Sequence, residues 1–142
     1  MMRGARVIGV AVATAGVACL VSLALAPPAA ANEVVQWNET TMKFIEANGQ
    51  NPVASTRTLA MVHGAVHDAL NAIDRKYDAY YFEGPADSAA SPDAAVAAAA
   101  HTVLVGVANS FGTPAQKGAA LALAEQAYAT SIARVTASPA RS

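Results

Sequence analysis

Ahead of the last few residues, three prolines in this chain each follow a residue suited to capping a helix: Asn51-Pro52, Ser91-Pro92 and Thr113-Pro114. Proline has no N–H to lose in the first turn, where that group would have no partner, so each pair marks the start of a helix. Between these marks the larger apolar residues recur three and four positions apart, and no stretch alternates with the period of a strand. The chain is therefore expected to be all-α, a bundle of about four helices. The first is read over residues 33–47 from Val34, Trp37, Thr41, Phe44 and Ile45, and Asn48-Gly49 stops it. A second, over residues 52–74, carries a stripe of Leu59, Val62, Val66, Leu70 and Ile73 continuing to Tyr77. Residues 77–90 read as a connection whose aromatic cluster, Tyr80-Tyr81-Phe82, folds back over a helix end. A third helix crosses an alanine tract to about residue 109, and its small residues suit a close helix crossing. Thr113-Pro114-Ala115-Gln116 opens the fourth with a capping-box pattern, and that helix runs to about residue 134. Residues 135–142 read as a disordered tail.

The N-terminus has a different character. Arg3 and Arg6 precede an uninterrupted apolar run over residues 7–26, and Ala29-Ala30-Ala31 follows Pro27-Pro28. That order of charge, apolar core and small residues is the layout of an export signal, with cleavage expected after Ala31 and a secreted product of the general secretory route. The run is also about long enough to span a bilayer, so an uncleaved anchor is the competing expectation. Once residues 1–31 are removed, the helical part over residues 32–134 and the tail keep no stable membrane anchor.

Charge and cysteine use narrow the partners. Of nine basic residues, Arg3 and Arg6 leave with the first segment, so seven remain against ten acidic residues, a formal charge of −3. No basic stripe exists to neutralise phosphates, which argues against nucleic acid. The single cysteine, Cys19, falls within the apolar run, so the mature chain has no disulfide and relies on packing. Much of its apolar content is alanine, which favours helix but buries little surface. A chain of about this size then gains from a complementary chain or a second copy.

Few residues offer chemistry. His63 and His67 stand four apart, so on a helix their rings project from one face, the spacing two imidazole ligands of zinc or copper would need. A metal site needs at least a third ligand, so the simpler expectation packs His63 near the apolar stripe with its ring hydrogen-bonded. In that expectation His67, Asp68 and Asn71 hold loops or neighbouring helices. Asp68 and Asp74 fall on different faces, which does not suit an acid–base pair, and Asp74 fits a helix end or a salt bridge. His101 is expected as an ordinary helix residue, and Trp37 with Phe44 as core rather than the lining of a ligand pocket. No Gly-x-Ser-x-Gly and no glycine-rich phosphate loop occurs. Catalytic, cofactor-binding and metal residues are accordingly not assigned, with His63 and His67 the only weak metal candidates.

The order of several segments resembles a known family. Val34-Val35-Gln36-Trp37-Asn38, Leu59-Ala60-Met61-Val62-His63, Asp68-Ala69-Leu70-Asn71-Ala72-Ile73-Asp74 and Ser91-Pro92 leading to His101 are similar to the opening of secreted vanadium-dependent haloperoxidase-like proteins. These belong with the type 2 phosphatidic acid phosphatase superfamily. The resemblance covers about residues 33–134 and only the opening part of a longer family member. It implies an all-helical domain of which this bundle is an incomplete part. It also implies a vanadate or phosphate site built by a Lys preceding Arg-Pro, a Ser-Gly-His and a Ser-Arg followed by His. None of those motifs occurs in this sequence. The expectation is thus a fragment with the family's scaffold and no oxyanion chemistry of its own; a stand-alone helical interaction module is the alternative.

Overall fold

The computed structural model describes residues 29–137, and of residues 29–32 the backbone alone. Four helices account for nearly all of it: α1 (Ala29–Asn48), α2 (Pro52–Ile73), α3 (Pro92–Ser110) and α4 (Pro114–Ala137). The expected all-α bundle is what the chain forms, and no strand occurs among the described residues. Helix α1 begins upstream of the proposed cleavage point, and α4 continues three residues into the segment expected to be a tail. The apolar run over residues 7–26 and the last five residues lie outside the described residues.

The punctuation works as the local chemistry dictates. Asn51 Oδ1 accepts the Ala54 N–H at 2.9 Å, and Ser91 Oγ accepts that of Ala94 at 3.3 Å, each with proline as the next residue. Thr113 and Gln116 form a reciprocal capping box: Gln116 donates its N–H to Thr113 Oγ1 at 3.3 Å, and Thr113 donates its own to Gln116 Oε1 at 2.9 Å. Helix α1 ends in a Schellman turn, with the Gly49 N–H on the Glu46 carbonyl and the Gln50 N–H on that of Ile45. Gly49 takes φ +68°, and a Cβ there would lie 2.2 Å from the Gln116 amide. This turn therefore favours glycine for its positive φ, and a Cβ would in addition displace the Gln116 side-chain amide.

Helix α3 is the centre of the bundle. It packs against all three others, α2 and α4 do not approach each other closely, and α1 packs on α3 and α4 and touches α2 less. The core joins Trp37 and Phe44 of α1, Val62 and Val66 of α2, Val96, Ala97, Ala100, Leu104 and Ala108 of α3, and Ala120 and Ala124 of α4. Alanine at the crossings lets the backbones approach closely, and Trp37, Phe44 and Leu104 fill what that leaves.

Polar groups clasp both ends. At one, buried Glu33 accepts the Trp37 indole N–H at 2.9 Å and the Arg134 guanidinium at 2.9 Å, tying the first helix to the last. At the other, buried Asn48 donates to the Phe111 carbonyl at 3.1 Å and accepts from Gln50 at 3.0 Å, and Thr58 donates to Gln50 at 2.8 Å. These bonds satisfy groups that would otherwise be desolvated without a partner.

Candidate functional site

The second half of α2 positions a folded-back loop. Asp68 is 6 % exposed, and its carboxylate accepts three successive backbone N–H groups, Tyr80 at 2.7 Å, Tyr81 at 2.8 Å and Phe82 at 3.0 Å. Those donors, Phe82 and Tyr80 foremost, hold its pKa below the ordinary aspartate range against the opposing effect of burial. One turn on, Asn71 accepts the N–H groups of Lys76 and Tyr77 at 3.0 Å each and donates to the Tyr77 carbonyl at 2.8 Å. His67 Nε2 lies 3.3 Å from the Asp78 carbonyl, with the Tyr80 ring edge-on at 5.0 Å. The expectation that His67, Asp68 and Asn71 hold a loop describes this arrangement, and the aromatic segment does return over the end of α2.

The other sequence candidates lie away from this loop anchor, and of them His63 departs from its expectation. His63 is exposed, not packed on the apolar stripe, because the stripe through Val62 and Val66 turns it outward. No group of three or more His, Cys, Asp or Glu side chains gathers among the described residues, so His63 and His67 are not joined there by a third ligand. Asp74 caps α2 and pairs with Lys76, both largely exposed. His101 stacks on Tyr128 with ring centroids 4.4 Å apart. Its Nε2 lies 3.1 Å from Glu125 Oε1, close enough for an ion pair yet off the alignment of a hydrogen bond. Trp37 and Phe44 are core residues; Trp37 also floors a cleft of about 250 Å³ edged by Lys43 and Arg134.

A larger concavity lies elsewhere, between α2 and α3. A groove of about 1100 Å³ is floored by Ala54, Gly64, Ala65 and Ala69 of α2 and by Ala95, Ala98, Ala99 and Gly106 of α3. Met61, Phe111 and the Tyr80-Tyr81-Phe82 segment stand at its edges. Helical spacing explains it: Val96, Ala97 and Ala100 turn into the core, which leaves Ala95, Ala98 and Ala99 of the same tract on the opposite side. The aromatic wall is set by the Asp68 clamp, so loop and groove form one unit. Tyr81 is 94 % exposed and Tyr80 78 %, a large aromatic surface at the groove's end.

The charged residues lining this groove are Arg57 and Asp68, and the Asp68 carboxylate is occupied by its three N–H donors. A multiply charged oxyanion such as vanadate needs several converging cations and N–H donors, so these residues do not fit that group. The groove suits an apolar binding surface. The sequence hinted at it through Gly64 and Gly106, glycines within helical patterns, but periodicity alone did not show which face they occupied. Among the described residues no helix is long and apolar enough to cross a membrane. Compared with known proteins, the chain matches no family model, no curated protein and no solved structure.

Proposed function

We propose that this chain is an exported helical unit without catalytic groups of its own, corresponding to the opening helices of haloperoxidase-like and type 2 phosphatidic acid phosphatase proteins. Its role in that reading is to present the α2–α3 groove to further helices, which bring the oxyanion-binding motifs. One observation carries it. Helix α3 is apolar on nearly every side, the composition of a helix meant to be surrounded, yet its Ala95, Ala98, Ala99 and Gly106 face the open groove. Support also comes from the resemblance of residues 33–134 and from the absence of Arg-Pro, Ser-Gly-His and Ser-Arg in the sequence.

The test is an activity and stability assay of the exported protein. It is expected neither to oxidise bromide with added vanadate nor to cleave a phosphomonoester; either activity overturns the proposal. An adjacent reading frame encoding the three motifs would supply the missing groups, and one without them would count against the family reading.

A second reading, the stand-alone interaction module, is favoured by the clasped ends. Glu33–Arg134 joins the first and last helices, and Asn48–Phe111 ties the opposite turns together. A cooperative thermal transition of the exported chain without any partner supports the module; broad, non-cooperative melting supports the framework reading.

A further inference from the structure

We infer that the α2–α3 groove is a docking site for a single α-helix of about four turns, apolar along one face and carrying an acidic side chain opposite Arg57. This deepens the proposal that the groove is the functional surface by naming the chemistry of what fills it.

Shape gives the length. The floor runs from Ala54 to Ala69 on α2 and from Ala95 to Ser110 on α3, which at 1.5 Å per residue is about 22 Å, or about 15 residues of a partner helix. A floor mostly of alanine and glycine, with Val103 and Val107 the larger aliphatic members, provides more holes than knobs, so the partner supplies the large aliphatic side chains in the helix-in-groove mode. A second copy of this chain is less suited. Its groove carries the same uncommitted Arg57 and, with Asp68 occupied by three N–H donors, no free acidic side chain to answer it.

Gly64 and Gly106 point the same way. Both lie inside helices, where glycine costs stability relative to alanine, and neither has another atom within 4 Å of where a Cβ would sit. Nothing within the described bundle requires either to lack a side chain. Both face the groove, so the space they keep open is space for the occupant's backbone.

Charge sets the polarity of the partner. Arg57 makes no hydrogen bond or ion pair within the described bundle, whereas Asp68 at the far end is saturated by the loop. The uncommitted charge of the groove is therefore a single cation near the α2 N-terminus, and it favours an acidic residue in the helix that covers it.

The experiment uses protein produced from the full chain and recovered after export, with two fluorescein-labelled 18-residue helical peptides. The peptides share a Leu stripe at three- and four-residue spacing and differ only in Glu or Lys in the first turn; anisotropy reads binding. The Glu peptide is expected to bind saturably and about three- to fivefold more tightly than the Lys peptide, the range of an exposed ion pair. Arg57→Glu should reverse that order. Gly64→Leu and Gly106→Leu should abolish binding of both peptides, while Gly118→Leu, on α4 away from the groove, should leave it unchanged. Circular dichroism checks that each variant folds, and Arg57→Glu, at an exposed position, keeps the test decisive if a leucine variant does not. Equal binding of the two peptides with no response to Arg57→Glu overturns the inference, as does binding that survives Gly64→Leu. A concentration-dependent dimer abolished by Gly64→Leu would assign the groove to a second copy instead. A folded, catalytically inactive chain that ignores both peptides overturns the docking inference alone, whereas bromide oxidation or phosphomonoester cleavage overturns the proposed function alone.

Discussion

Replacing both groove glycines by alanine should make this protein more stable. At Gly64 and Gly106 an added Cβ meets no other atom within 4 Å, and neither residue has a positive φ. The helix-propensity gain of alanine is then realised in full, roughly 0.8–1 kcal/mol at each site. The two sites lie on different helices and share no packed neighbour, so the gains should add to between about 1.5 and 2 kcal/mol. For a bundle of about this length, 1 kcal/mol moves the thermal midpoint by roughly 4–5 °C, so the double variant should melt about 6–10 °C higher. Thermal unfolding followed by far-UV circular dichroism measures this directly. Gly118→Ala is the matched control, open on α4 and expected to raise the midpoint by about half as much. Gly49→Ala is the opposite control: with φ +68° and the Gln116 amide 2.2 Å from the new Cβ, it should lose at least about 1 kcal/mol. An unchanged or lowered midpoint in the Gly64→Ala, Gly106→Ala protein, with Gly118→Ala raised as expected, would refute the reasoning.

Leu104 is 0 % exposed at the centre of the alanine-lined core, so Leu104→Ala should cost about 3 kcal/mol in chemical denaturation, a large share of what a small bundle has. Glu33→Ala removes the acceptor of both the Trp37 indole and the Arg134 guanidinium; a loss of about 2 kcal/mol in the same assay is expected, discounted for the partial exposure of Arg134. Asp68→Asn should speed hydrogen exchange at the Tyr80, Tyr81 and Phe82 amides while leaving the core amides protected. Because the folded pKa of Asp68 lies below its unfolded value, its contribution is fully present above the ordinary aspartate range. It is lost as pH falls through the lower folded pKa. Exchange protection of those three amides, corrected for the intrinsic rate, should therefore hold from neutral pH down to mildly acidic pH; its loss near pH 6 would contradict the clamp.

Most of the fold was legible because it rests on local rules. Asn51-Pro52, Ser91-Pro92 and Thr113-Pro114 each start a helix, Gly49 ends one, and the Thr113–Gln116 box needs no distant partner. Loop anchoring by Asp68 and Asn71 was also foreshadowed, since polar residues beside an apolar stripe must find partners when they are covered. Local rules do not say which face of a uniformly apolar helix is covered. The α3 alanines look alike in sequence, yet Ala97 and Ala100 enter the core while Ala95, Ala98 and Ala99 line the groove. His63 likewise falls on the solvent side by the rotation of α2 that places Val62 and Val66 inside. Burial of Glu33 by Arg134, 101 residues away, and of Asn48 by Phe111, 63 residues away, depends on how the helices associate. Helix starts, stops and class were thus determined by the sequence through short-range hydrogen bonding and backbone sterics. The open groove, the clamped aromatic wall and the two end clasps were decided by tertiary packing, because alanine favours a helix without specifying what it packs against.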